Sequence, residues 1–197
     1  DTLIGNLGDD TLDGAAGTDT ADYSGAIGGG VTVSLSASGS QNVGGSLGSD
    51  TLISIENLTG SQFGDTLTGD NNANVLNGVG GNDTLNGGLG DDTLIGGVGG
   101  DILNGGLGTD TASYAGATAG VVASLLNPAS NTGDAAGDTY TSIEKLIGTS
   151  FNDTLVAGGS PISTLASVIV GTESNNTLAS ASLINRSSFG LLAGSSA

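Results

Sequence analysis

The chain has 197 residues, with 38 Gly, three Tyr, three Phe and no Trp, Met, Cys or His. So few large side chains exclude a thick globular core, and the missing Cys and His exclude disulfides, zinc-thiolate sites, thiol nucleophiles and His-based catalysis. A formal net charge of −18, offset only by Lys145 and Arg186, excludes nucleic acid as a partner and calls for a hard cation such as calcium or magnesium to neutralise a compact form.

The first element, residues 1–22, is a short run of nine-residue units: DTLI, then GNLGDDTLD and GAAGTDTAD, which place Asp1, Asp10 and Asp19 in the same slot. The numbering opens inside a unit, as expected of a fragment or processed product of a longer chain. Residues 23–59 form a connecting segment of β-coils. In it Val31, Val33 and Leu35 alternate with Thr32 and Ser34, the period of a half-buried strand, and Ile53 and Ile55 continue that alternation.

From Gly60 to Ser113 the units run without a break: GSQFGDTLT, GDNNANVLN, GVGGNDTLN, GGLGDDTLI, GGVGGDILN and GGLGTDTAS. Their sixth positions are Asp65, Asn74, Asp83, Asp92, Asp101 and Asp110. A second connecting segment, residues 114–158, carries degenerate copies at 133–141 and 148–156. A longer repeat overlies the short one, because GTDTADYSGA at 17–26 returns as GTDTASYAGA at 108–117, and SIENLTGSQFGDTL at 54–67 as SIEKLIGTSFNDTL at 142–155. Residues 159–197 are a Ser, Ala and Leu-rich tail without nonapeptides. No apolar run approaches the length of a membrane span.

Within a unit, glycines at the first, second and fourth positions allow backbone with positive φ, so six residues can make a tight turn with inward carbonyls, and the sixth-position Asp adds a carboxylate. The last three residues are a minimal strand with Leu inward and Thr or Asn outward. Two units complete a coil of 18 residues, so turns stack at i and i+18 and pair Asp1 with Asp19, Asp65 with Asp83, Asn74 with Asp92, Asp83 with Asp101, and Asp92 with Asp110. About five calcium ions between stacked turns would offset about ten charges. Asn74 brings an oxygen without charge, so its site is expected to be the weakest or empty. Leu67, Leu76, Leu85, Leu94 and Leu103, with Leu3 and Leu12 in front, form the inner ladder. Ala21 and Ala112 replace Leu where Tyr23 and Tyr114 fill a widening cross-section.

This GGxGxDxUx pattern resembles the RTX, or hemolysin-type calcium-binding, repeat; GGLGDDTLI at 87–95 fits every position. The resemblance implies an all-β parallel β-roll, or β-solenoid, with calcium as its ion. Its ligands would come from Asp1, Asp10, Asp19, Asp65, Asn74, Asp83, Asp92, Asp101 and Asp110, with the turn glycines Gly88, Gly90, Gly97, Gly99, Gly106 and Gly108. It further implies export unfolded by a type I route and folding outside the cell, where the tail would suit a secretion signal.

Ordinary turn chemistry does not generate a nine-residue comb of Asp. Asp70 opens an EF-hand-like DNNAN, but Val75 stands where Gly is needed and Gly81 where Glu is needed. Glu56 and Glu144 occupy matching points of two repeat copies, which favours a repeated structural role over a glycosidase pair. The expected function is that of a secreted, non-enzymatic structural protein at the cell surface, self-associating into a surface layer, adhesin or fibre. The alternative is the C-terminal folding and export module of a secreted hydrolase or toxin.

Overall fold

The computed structural model describes residues 1–158, and the expectation for the 159–197 tail lies outside the described residues. Those residues form short strands, parallel except where Gln41–Asn42 pairs antiparallel with Ser49–Asp50, and no α-helix, with two single 3-10 turns at Pro128–Ser130 and Gly133–Ala135. The chain is all-β because three-residue segments such as Thr93–Ile95 and Thr111–Ser113 alternate with glycine turns too tight for a helical repeat.

One face of the roll is a seven-stranded parallel sheet, in the order Thr2–Leu3, Thr20–Asp22, Asn57–Thr59, Val75–Asn77, Thr93–Ile95, Thr111–Ser113 and Lys145–Ile147. The opposite face contains a five-stranded sheet: Thr139–Thr141, Ile102–Leu107, Thr84–Leu89, Thr66–Thr68 and Thr32–Ser34. Within the uniform run the register is that of the expected coil, for Leu67 pairs with Leu85, Leu85 with Leu103, and Leu76 with Leu94. Leu67, Leu76, Leu85, Leu94 and Leu103 are buried between the faces with Leu58 and Leu146, giving the thin aliphatic core that the composition allows.

The connecting segments lengthen a coil without leaving the stack. Ala21 pairs with Leu58 and Ala112 with Leu146, so the seven-stranded face continues through both segments. The other face is interrupted and restarts. Thr32–Ser34 underlies Thr66–Thr68, while Thr51–Ile53 returns to pair with Thr11–Asp13. The second copy repeats this, with Val122–Ser124 beside Thr154–Val156 and Thr139–Thr141 returning to Ile102–Asn104. Tyr23 and Tyr114 are buried beside Ala21 and Ala112, filling the wider coil as their positions suggested.

Val31 and Val33 face the core as the alternation required, but Ile53 is exposed while Ile55 is buried. The reason is a further unit, GSLGSDTLI at 45–53, whose ninth position is Ile53 and therefore points outward, whereas its eighth, Leu52, packs against the core.

Candidate calcium sites

Each sixth-position side chain lies where a turn enters a strand, and successive coils bring these side chains into columns. Oδ1 of the upper residue accepts the backbone N–H of the residue one coil below. Asp65 donates to Asp83 at 2.8 Å, Asp83 to Asp101 at 2.9 Å, Asn74 to Asp92 at 2.8 Å and Asp92 to Asp110 at 2.9 Å. All four stacked pairs expected in the uniform run are thus brought together. The α-amine of Asp1 approaches Asp19 Oδ1 at 2.5 Å, while the Asp1 side chain itself is exposed.

The columns extend beyond the 18-residue register. Asp10 donates to Asp50 Oδ1 at 3.1 Å, and Asp101 donates to Asp138 Oδ1 at 2.9 Å. Glu56 accepts from Asp19 at 2.9 Å and Glu144 from Asp110 at 2.8 Å, which gives the two glutamates the same structural task in the two copies. Asp138 is the sixth residue of the degenerate copy at 133–141, and Glu56 and Glu144 stand at matching points of the two copies, but the nine-residue spacing gave none of them, nor Asp50, a place in the columns.

The other carboxylate oxygen is the informative one. Oδ2 of Asp10, Asp19, Asp50, Asp83, Asp92, Asp101 and Asp110 is buried and has no hydrogen-bond partner. A buried carboxylate oxygen without a donor is costly, and the expense appears as raised proton affinity. Burial pushes Asp83 up to about 7 and Asp92 up to about 6, opposed by the N–H bond from the coil below. Asp101 and Asp110 are raised for the same first reason, desolvation. A cation beside these oxygens reverses that balance by favouring the ionised form.

Glycine makes the room. Gly88, Gly90, Gly97, Gly99, Gly106 and Gly108 all have positive φ, from 99° at Gly97 to 150° at Gly99. The first glycine of each unit serves differently from the expectation, since Gly78, Gly87, Gly96 and Gly105 do not have positive φ. A Cβ at any of them would fall onto Oδ2 of the aspartate in its own turn, and at Gly87 it would also meet the Gly105 carbonyl oxygen at 2.5 Å. Space for the carboxylate and for carbonyls of the neighbouring coil is what excludes a side chain there.

Among the described residues no three His, Cys, Asp or Glu side chains converge. An ion at these turns therefore draws most of its oxygens from backbone carbonyls and one or two carboxylates, a donor set suited to a large hard cation. The residues fit calcium by two observations, the unpartnered oxygens and the glycine cradle beside them.

The family model of the RTX calcium-binding nonapeptide repeat matches in four copies, at residues 1–23, 53–85, 77–112 and 140–160, more than half of the chain. The chain belongs to the RTX repeat family. Calcium is the ion that such repeats bind. No curated protein matches the chain.

Four RTX turns depart from this scheme, one of them that of Asp138, whose Oδ1 accepts the Asp101 N–H and whose Oδ2 accepts the Tyr114 hydroxyl at 2.6 Å. At Asp65 both oxygens are taken, Oδ2 by the Ser61 N–H at 2.5 Å and Oδ1 by the Ser61 hydroxyl at 2.8 Å and the Val31 N–H at 2.7 Å. Asp153 is held identically by Thr149 and Val121. Asn74 accepts the Asp70 N–H at 2.8 Å and turns its amide nitrogen toward the Glu56 carbonyl, 2.8 Å away, so a donor stands where a cation would otherwise meet an oxygen.

Proposed function

We propose that this chain is a secreted, non-catalytic structural module that folds on binding calcium outside the cell and serves in a surface layer, adhesin or extracellular fibre. The carrying observation is the set of seven buried aspartate oxygens without a donor in a chain of net charge −18. Asp83 and Asp101 on one edge, and Asp92 and Asp110 on the other, would hold ions together with carbonyls of the stacked glycine turns. The front turns of Asp10 and Asp19 would act likewise.

Ion binding supplies folding free energy, because self-repulsion and backbone entropy outweigh a single ladder of Leu side chains without it. Extracellular sites of this oxygen-rich type work at calcium levels of about 10⁻⁴–10⁻³ M. Such a chain crosses a calcium-poor compartment unfolded and folds after type I export. The structural role is supported by the tandem module, whose seven-stranded face passes through both connecting segments without a gap.

The test is a calcium titration followed by far-UV circular dichroism, with magnesium as control and light scattering on the same samples. A cooperative gain of β signal with calcium alone is expected, accompanied by rising scattering as copies associate. Full β structure in excess chelator would overturn calcium-driven folding. Folding without any rise in scattering would replace the array by the folding and export segment of a larger secreted protein.

A further inference from the structure

The seven unpartnered oxygens follow a backbone rule. In every turn that contains one, the residue four positions before the aspartate, second in its unit, has positive φ: Asn6 67°, Ala15 62°, Ser46 66°, Val79 77°, Gly88 113°, Gly97 99° and Gly106 103°. Residue type does not explain the set, which includes Asn, Ala, Ser and Val as well as Gly. In the turns of Asp65, Asn74 and Asp153 the second residues are Ser61, Asp70 and Thr149, and none has positive φ. There the second-position N–H points back to the sixth side chain, at 2.5 Å, 2.8 Å and 2.7 Å. Ser46 and Ser61 make the comparison sharp, since the same residue type leaves Asp50 open in one conformation and closes on Asp65 in the other.

We propose that the conformation of the second residue sorts the turns into those that take calcium and those that replace it with the chain's own donors. This rests on the calcium reading above and deepens it by naming the turns. A left-handed second residue carries its N–H away from the carboxylate and leaves Oδ2 for an ion. In the turns of Asp65, Asn74 and Asp153 a second residue without positive φ delivers that N–H to the side chain, with a hydroxyl as second donor at Ser61 and Thr149; in the turn of Asp138, where Asp134 also lacks positive φ, the Tyr114 hydroxyl supplies the donor to Oδ2 instead. Calcium is thereby confined to a front group, ending at Asp10, Asp19 and Asp50, and a central group, ending at Asp83, Asp92, Asp101 and Asp110. The closed turns of Asp65 and Asp153 sit where the second face of the roll restarts, because their Oδ1 atoms hold the N–H groups that open Thr32–Ser34 and Val122–Ser124. The two restarts are therefore built without metal.

Two variants of the full chain separate conformation from charge. Asn74→Asp adds a carboxylate but keeps Asp70, whose N–H still closes the turn. Asp70→Gly combined with Asn74→Asp leaves the net charge unchanged and lets the second residue become left-handed. Calorimetric titration with calcium, with circular dichroism confirming folding, is expected to give the wild-type stoichiometry for the single variant and one further ion for the double. Ser61→Gly, which frees Asp65, is expected to add one ion as well and stands in if the double variant does not fold. An extra ion in Asn74→Asp alone would overturn the inference, as would unchanged stoichiometry in the folded double variant or in folded Ser61→Gly. In those cases wild-type calcium uptake leaves calcium-driven folding standing. No uptake by the wild type overturns both.

Discussion

The last four units of the uniform run, residues 78–113, and the connecting segment that follows them solve the same problem by different means. In the run every coil takes 18 residues, the buried Oδ2 atoms have no partner within the chain, and the glycines stand against neighbouring backbone. In the segment the register with the preceding coil widens, Ile102 pairing with Thr139 and Thr111 with Lys145, and side chains answer one another. The Tyr114 hydroxyl donates to Asp138 Oδ2 at 2.6 Å, Asn131 donates to the Tyr140 hydroxyl at 2.9 Å, and Asn131 Oδ1 accepts from Ser124 at 2.7 Å. A short coil has no room for a donor on a long side chain, so its carboxylates need an ion, whereas a longer coil accommodates an aromatic ring with a hydroxyl at its tip.

The largest effect that would break this contrast is the same substitution made in both regions. Gly99 has φ of 150°, and a Cβ there would fall onto the Gly81 carbonyl oxygen of the coil below, which is backbone and cannot swing aside. Gly99→Ala is expected to destabilise by about 3 kcal/mol or more, combining the left-handed penalty with overpacking. Gly116, in the connecting segment, has open space where its Cβ would go, and Gly116→Ala is expected to stay within about 0.5 kcal/mol of wild type. Thermal unfolding in saturating calcium measures both. Similar losses from the two variants would mean that backbone crowding does not distinguish the run from the segment.

A smaller effect sharpens the contrast between the two connecting segments. Tyr114→Phe removes the hydroxyl that answers Asp138, whose carboxyl burial already pushes up to about 6. The expected cost is about 1–3 kcal/mol, that of a buried acceptor left without its donor. In the first segment the Tyr23 hydroxyl lies beside the Asp50 carboxylate, yet neither it nor Asp50 Oδ2 completes a well-formed hydrogen bond, so Tyr23→Phe is expected to cost less than Tyr114→Phe, under about 1 kcal/mol. Denaturant unfolding of the pair in calcium compares them directly, and an equal loss would show that Tyr23 and Tyr114 do the same work.

Much of this architecture was legible from spacing alone. The 18-residue coil, the Leu ladder and the stacked aspartate pairs followed from the recurrence of Leu and Asp every nine residues, because in a roll sequence period and spatial register are the same quantity. What escaped lies where that identity fails. Glu56 and Glu144 join the columns across separations of 37 and 34 residues, which no nine-residue comb reveals. The unit at 45–53 contributes Ser49–Asp50 to an antiparallel pairing with Gln41–Asn42, and without its frame Ile53 falls on the wrong face. The first glycines were expected to supply positive φ and supply space instead, a distinction that depends on the neighbouring coil. Whether a second-position residue opens or closes its turn is also invisible in residue type, as Ser46 and Ser61 demonstrate.

Val79 carries a smaller predicted effect than Gly99 or Tyr114 and tests whether the run tolerates departures from glycine at all. It occupies the slot held by Gly88, Gly97 and Gly106 in the next three units, with φ of 77°, where a β-branched residue is strained by about 1–2 kcal/mol. Glycine removes that strain but makes the unfolded chain more flexible, a loss of about 0.5–1 kcal/mol. Val79→Gly is therefore expected to stabilise the calcium-loaded roll by about 0.5–1 kcal/mol. Because positive φ at this residue accompanies the free Oδ2 of Asp83, the same change should lower the calcium concentration at the folding midpoint, read by circular dichroism. The analogous change in a closed turn, Thr149→Gly, removes the hydroxyl donor of Asp153 and is expected to lower stability at calcium levels below those needed to fill a new site. If both glycines stabilised equally in low calcium, second-position strain would be general and the division between open and closed turns would lose its energetic basis.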